Sequence, residues 1–190
     1  MKEFPFKLIL GSGSPRRKEL LEMAGFSFSV RTIPIDESVP PNVKPTEVPK
    51  YLAIQKAREF TNELKPDEVV LTADSLVLLG ERILGKPANR DEAIEFLSSI
   101  SGKDHVVITG VCILSNEKQV AFDNVSRVKM AALSQSEIEY YVDTYQPFDK
   151  AGAYAIQEWI GLNGIESIEG SYYNIVGLPV HQVYAHLRDW

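Results

Sequence analysis

The stretch LILGSGSPRRKE, residues Leu8 to Glu19, is an apolar run that breaks into glycine and serine and then starts a helix. Ser14 is a good N-cap, because a serine hydroxyl can accept a free amide of the first turn. Pro15 suits the first helical position, where no amide bond is lost. Arg16 and Arg17 therefore sit at a helix N-terminus, where the positive end of the macrodipole opposes cations by a few tenths to ~1 kcal/mol. The arrangement makes sense if an anion is held between them. Exposed backbone amides, the hydroxyls of Ser12 and Ser14 and two guanidinium forks make a phosphate cradle without the Gly-Lys-Ser/Thr ending of a Walker loop. The competing reading is a capped helix whose arginines reach into solvent.

Working outward, a chain of 190 residues with 44% apolar and 24% charged residues can bury a full core. One domain spanning residues 1–190 is expected, with two sub-lobes as an option. A net charge of −6 with no evident basic face argues against a nucleic-acid coat protein, though not against one nucleotide in a locally basic pocket. The single Cys112 lies in the apolar run ITGVCIL and reads as a small core hydrophobe. The N-terminal stretch MKEFPFKLILGS has too short an apolar run for a signal peptide, and nothing approaches a membrane span of about 18 apolar residues. A cytoplasmic protein without membrane attachment is expected.

Phe6–Leu10 is predicted as a buried strand, followed by a helix from Pro15 to about Ala24 that Gly25 ends. Phe26, Phe28 and Val30 alternate with polar residues as a half-buried second strand. Residues 34–45 carry four prolines, which puts Asp36 and Glu37 on a loop. Thr46 is placed to cap a helix to about Leu64, with Val48, Leu52, Lys56 and Phe60 on one ridge. Lys56 on that ridge either snorkels or has a functional reason to be there. Glu68–Leu71 is a continuous apolar strand delivering Thr72, Ala73, Asp74 and Ser75, and Gly80 has hairpin spacing. Asn89 with Glu92 opens a helix ending near Gly102, and 105–114 and 119–130 are two long strands. Ser134 with Glu137 is a capping box for a helix to about Tyr145. Residues 146–157 resist assignment; a short strand near 165–168 and a last helix beginning at Pro179 follow.

Four basic residues, Arg16, Arg17, Lys56 and Lys86, and four acids, Glu37, Asp74, Asp104 and Asp149, are expected at element ends or in loops. Such mixed clusters suit phosphate chemistry, in which cations neutralise the substrate and carboxylates hold a hard divalent metal or orient water. His105, His181 and His186 are scattered without zinc-ligand spacing, so each reads as structural. Asp74 stands out because it closes a buried apolar strand, where an unpaired carboxylate would cost several (~) kcal/mol. Its alternative is an aspartate bonded to nearby backbone amides. Gly11-Ser12-Gly13 fits a nucleophile elbow poorly and leads into arginines, which disfavours a serine hydrolase.

Several motifs in one order, GSGSPRRKELL (11–21), DES (36–38), KA (56–57), TADS (72–75), GKP (85–87), SGKDHVVITGV (101–111), DKAGAYAIQ (149–157) and GSYYNIVGLP (170–179), resemble the Maf family of nucleoside triphosphate pyrophosphatases. The resemblance implies an α/β fold like that of inosine triphosphate pyrophosphatase, a mixed twisted sheet with flanking helices and two lobes around a cleft. It also implies a divalent metal such as Mg or Mn, a homodimer, and hydrolysis of a nucleotide to its monophosphate and pyrophosphate. By the same resemblance Arg16, Arg17, Lys56 and Lys86 contact phosphates, Glu37 and Asp74 are linked with the metal, and Asp74 accepts a proton. It ties base choice to Arg16, Ser75 and Gln157. Ser12, Ser14, Asp149 and Lys150 complete the candidate substrate contacts, and DKAGAYAIQ looks like the subgroup acting on dTTP and UTP. Ser75 replaces the family's usual threonine, Gln146 its glutamate and Ala155 its glycine. A nucleotide-sensing or division-regulating protein without turnover is the competing class. A nucleic-acid-binding module is disfavoured by the acidic balance and by the lack of interleaved basic and aromatic residues.

Overall fold

The computed structural model describes residues 4–190. Met1–Glu3, the start of the stretch weighed as a signal peptide, lie outside the described residues. The chain forms strands β1 (Lys7–Leu10), β2 (Phe28–Val30), β3 (Glu68–Leu79), β4 (Arg82–Leu84), β5 (Asp104–Leu114), β6 (Gln119–Met130) and β7 (Ile165–Glu169). The helices are α1 (Pro15–Met23), α2 (Val48–Arg58), α3 (Arg90–Ile100), α4 (Gln135–Tyr145), α5 (Trp159–Gly164), α6 (Tyr172–Val176) and α7 (Val180–Arg188). Hydrogen-bonded neighbours follow the order β2-β1-β3-β5-β6-β7, with β4 on β3. β1 is parallel to β2 and to β3, whereas β3 with β4 and β6 with β7 are antiparallel, so the sheet is mixed.

The chain divides into two compact units. The first holds the chain through Asp74, Thr109–Asn124 and Gly177–Trp190; the second holds Ser75–Ile108 and Val125–Val176. In the first, β1 lies in register with β3 from Lys7 opposite Glu68 to Leu10 opposite Leu71. Ile9, Ala53, Ala57, Phe60, Val70 and Cys112 form a core between α2 and the strands. Burial pushes the Cys112 thiol up to about 12, which keeps it an inert core residue. Gly110 on β5 allows α2 to close on the sheet, because a Cβ there would stand 2.1 Å from the Lys50 backbone nitrogen. Gly11 does the same for the glycine-serine turn, where a Cβ would meet Thr72 Cγ2 at 2.7 Å.

Three local expectations are corrected. Ser14 has extended backbone at the N-cap of α1, but its side chain caps nothing; its amide instead donates to Ser12 Oγ at 3.3 Å. Thr46 lies within a 3₁₀ turn, Pro45–Glu47, and α2 stops at Arg58. There the hydrogen bonds tighten to three-residue spacing, Thr61 N–H to Arg58 O at 3.0 Å and Glu63 N–H to Phe60 O at 2.9 Å. Asp74 does not close a strand: β3 runs unbroken through it to Leu79. The polar interruption is tolerated because the Thr72 hydroxyl donates to Ala53 O at 2.7 Å and Asp74 is ion-paired.

In the second unit α3 packs against α4. The capping box of α4 is complete: Glu137 N–H donates to Ser134 Oγ at 3.3 Å, and Ser134 N–H to Glu137 Oε2 at 2.7 Å. At α3, Asn89 accepts from Glu92 N–H at 3.0 Å, but the Glu92 carboxylate accepts from Ala88 N–H instead of closing the box. The unassigned stretch is two 3₁₀ turns, Pro147–Asp149 and Ala151–Ala153, with left-handed backbone at Gln146 (φ 48°), Gly152 (φ 69°) and Ala153 (φ 61°).

Candidate active site

The glycine-serine turn delivers Arg17 from the first turn of α1, but its guanidinium does not simply reach into solvent. Nη1 donates to Ser12 Oγ at 3.1 Å and to Ala73 O at 2.8 Å, and Nε donates to Gly177 O at 2.9 Å. Arg17 thus braces the turn against the residue before Asp74. Burial lowers the Arg17 pKa from its ordinary value, with the charge of Asp74 opposing that shift. Arg16 is half-buried in the same helical turn, and Ser14 is half-buried at the N-cap.

Lys56 stands in the last turn of α2, whereas Asp74, expected at an element end, lies inside β3. Lys56 Nζ stands 2.7 Å from Asp74 Oδ1 and 2.8 Å from Glu37 Oε1. Lys56 and Asp74 side chains are each 18% exposed, whereas Glu37, on the proline-rich loop, is 56% exposed. The snorkelling alternative for Lys56 therefore fails, because its ammonium turns to two carboxylates. Asp74 is likewise held by a side chain, the Lys56 ammonium, rather than by backbone amides.

The second unit carries the remaining candidates. Ser75 follows Asp74 along β3 and is half-buried, and Lys86 is exposed on the turn after β4. The Lys86 side chain makes no ion pair or hydrogen bond among the described residues. Gly152 N–H donates to Gly85 O at 3.0 Å, which ties the turn carrying Lys86 to the segment carrying Asp149 and Lys150. Lys150 Nζ lies 2.8 Å from Asp149 Oδ1 and 3.5 Å from Glu158 Oε1. Gln157 is exposed and lines a hollow of about 380 Å³ with Ile156, Leu162, Ile168 and Tyr172. Asp104 is exposed at the start of β5 and joins no ion pair among the described residues.

The histidines are structural where their contacts are defined. His105 Nε2 and the Tyr154 hydroxyl share a hydrogen bond of 2.7 Å, and the His186 ring lies 4.6 Å from that of Phe122. Among the described residues no three His, Cys, Asp or Glu side chains group as a closed metal cage. Glu37 and Asp74 nevertheless converge on one ammonium, and two all-oxygen carboxylates fit a hard divalent cation that completes its shell with phosphate oxygens and water.

Tyr141 and Glu158 are the residues sequence reasoning missed. The Tyr141 hydroxyl donates to Glu158 Oε2 and accepts from Ala155 N–H at 3.1 Å. Ile138, Tyr141 and Val142 follow a helix-core spacing, which reveals burial of the ring but not the partner of its hydroxyl.

The mixed sheet and the strand-turn-helix that opens it place the molecule among the α/β proteins. The family model described as Maf-like protein matches residues 7–190, and the chain belongs to that family. It is 48% identical over 184 residues to a protein of Bacteroides thetaiotaomicron named dTTP/UTP pyrophosphatase, covering 96% of this chain and 95% of the relative. A protein of Christiangramia forsetii with the same name is 44% identical over 183 residues, covering 96% of this chain and 93% of that one. A solved nucleoside-triphosphatase, dITP/XTP pyrophosphatase, of Mycobacterium abscessus aligns with TM-score 0.40 at 18% identity, over 67% of this chain and 76% of that chain. Among the described residues no helix is long and apolar enough to cross a membrane.

Proposed function

We propose that the protein is a dTTP/UTP pyrophosphatase, hydrolysing these nucleotides to the monophosphate and pyrophosphate. The observation that carries the reading is 48% identity, over almost the full length of both chains, to a relative of that name. Water attacks the α-phosphorus, the bond from that phosphorus to the α,β-bridging oxygen breaks, and pyrophosphate leaves. Asp74 takes the proton from the water, its carboxylate oriented by the Lys56 ammonium 2.7 Å away. Arg16, Arg17, Lys56 and Lys86 neutralise the phosphates, with charge on the leaving group stabilised as the bond breaks. Ser12 and Ser14 offer hydroxyls at the helix N-terminus. Glu37 and Asp74 would hold a divalent cation, which supplies charge neutralisation on the phosphate chain when bound.

For the base, Gln157 carries the selection, with Ser75 and Arg16 helping to place the ring and Asp149 and Lys150 completing the substrate contacts. A uracil or thymine edge offers two carbonyl acceptors flanking one N–H donor, and an amide with both a donor and an acceptor pairs with half of that pattern. The Gln157 side chain hydrogen-bonds to nothing among the described residues, so both groups are available. The test is product analysis across dTTP, UTP, CTP, GTP and ATP with Mg²⁺ or Mn²⁺. Pyrophosphate and monophosphate, released fastest from dTTP and UTP, are expected. A nucleoside diphosphate and inorganic phosphate as first products, or no turnover of any nucleotide, would overturn the reading.

A further inference from the structure

The exposed Gln157 lacks side-chain partners of its own, so its aim depends on the backbone that carries it. That backbone is unusual. Gln146 at φ 48° and Ala153 at φ 61° are non-glycine residues in left-handed conformation, and such residues cost ~1–3 kcal/mol each unless their surroundings fix them. One side chain grips the segment on both sides of Gln157. Tyr141 is fully buried on α4, and its hydroxyl accepts from Ala155 N–H, two residues before Gln157, while donating to the carboxylate of Glu158, one residue after it. The other Glu158 oxygen faces Lys150 Nζ at 3.5 Å, so the carboxylate is shared between the phenol and the ammonium.

We propose that Tyr141 is a positioning residue for base selection: its hydroxyl clamps Ala155 and Glu158 and thereby fixes the direction in which Gln157 presents its amide. The inference rests on the reading of Gln157 as the base-selecting side chain. The α4 capping box and the stacking of the Tyr141 ring on Tyr145, with centroids 5.0 Å apart, anchor the phenol from the core side. Burial and the Glu158 hydrogen bond hold the phenol protonated, above its ordinary range, so it stays a donor at any working pH. Without the hydroxyl, the Ala155 amide, on a residue only 7% exposed, loses its acceptor and must be satisfied by a shift of the segment or by water.

The experiment is a double-mutant cycle on discrimination, measured as the ratio of kcat/KM for UTP to that for CTP in the parent, Gln157→Leu, Tyr141→Phe and the double variant. Tyr141→Phe keeps the ring and its stacking. Gln157→Leu is expected to lower the ratio about 10-fold, the scale of one buried polar group left unsatisfied. Tyr141→Phe is expected to lower it at least ~3-fold, and the double variant to match Gln157→Leu, because two residues acting through one contact are not additive. A purely structural tyrosine would lower both nucleotides evenly; an unchanged ratio in Tyr141→Phe alongside a lowered ratio in Gln157→Leu overturns the clamp alone. Independent, multiplying effects in the double variant overturn it as well. An unchanged ratio in Gln157→Leu overturns the base reading, and the clamp with it. Should Tyr141→Phe not fold, Glu158→Ala opens the same clamp from its exposed side, and the same pattern of ratios is required of it.

Discussion

Replacing Asp74 by Asn separates the carboxylate's part in the fold from the proton-acceptor role proposed for it. In the fold, Oδ1 accepts from Lys56 Nζ at 2.7 Å, and an asparagine carbonyl in the same place still accepts that hydrogen bond. What is lost is the charge on one side of it. Hydrogen bonds to charged groups contribute ~1.5–3 kcal/mol against ~0.5–1.5 for neutral pairs, so the substitution costs about 1 kcal/mol. Lys56 keeps Glu37 at 2.8 Å, which leaves its ammonium paired. For a domain of this size that is a fall in Tm of roughly 2–4 °C. In the reaction the amide can neither take a proton from water nor present an anionic oxygen to a cation, and a lost general base lowers the rate ~10²- to 10⁴-fold. The assays are pyrophosphate release from dTTP with Mg²⁺ and thermal unfolding of the same preparation. A stably folded Asp74→Asn protein within ~10-fold of parental kcat/KM would refute the proton-acceptor role, since that loss is below the range expected of a general base.

Two further outcomes follow from the packing. Gly110→Ala drives a Cβ to 2.1 Å from Lys50 N and 2.2 Å from Pro49 C, backbone atoms that cannot rotate away. At the upper end of the ~1–3 kcal/mol usual for overpacking, Tm falls by roughly 6–12 °C. Activity falls with it because α2 carries Lys56, and an unaltered melting curve would show that α2 yields easily. His105 is buried beside Tyr154, and desolvation lowers its pKa from 6.5 to about 4. Its folded pKa lies below the unfolded one, so the unfolded chain binds the extra proton between these values. Stability is therefore full above pH 6.5, declines as pH falls towards 4, and loses about 3 kcal/mol to this residue by that point. Urea unfolding across that window checks it, and a slope no steeper in the parent than in His105→Gln would refute the assignment.

Much of the architecture is legible in the sequence because it is local. The β5 and β6 spans, the capping box at Ser134 and Glu137, the Asn89 cap and the positive φ of Gly80 all rest on residues a few positions apart. The failures have the same cause in reverse. Nothing local distinguishes a helix that continues to Leu64 from one that tightens after Arg58, since Phe60 and Leu64 are buried either way. α5 and α6, of six and five residues, are too short to show a period. Ser14 carries a cap residue's chemistry, but its amide is satisfied by Ser12, whose hydroxyl also accepts from Arg17. That arrangement depends on the guanidinium reaching Ala73 and Gly177, 56 and 160 residues away.

The candidate site was legible as a set of residue types and illegible as a set of partners. A lysine on the apolar ridge of α2 and an aspartate within the TADS motif each look costly alone, and each admits a bland explanation. Together the cost is offset: Lys56 and Asp74, each 18% exposed, meet at 2.7 Å, and breaking such a pair by removing one partner leaves a poorly solvated charge. The pairing joins positions 18 residues apart on a helix and a strand, a contact that no periodicity encodes. Tyr141 is the sharper case. Its ring obeys the helix spacing, so the sequence assigns it to the core and stops there, while its hydroxyl, which hydrophobic patterning does not register, holds both flanks of Gln157. A buried tyrosine whose hydroxyl is satisfied only by a segment rich in left-handed backbone is bound to that segment's conformation. A change of conformation there must break the Tyr141 bonds, and loss of those bonds must free the conformation.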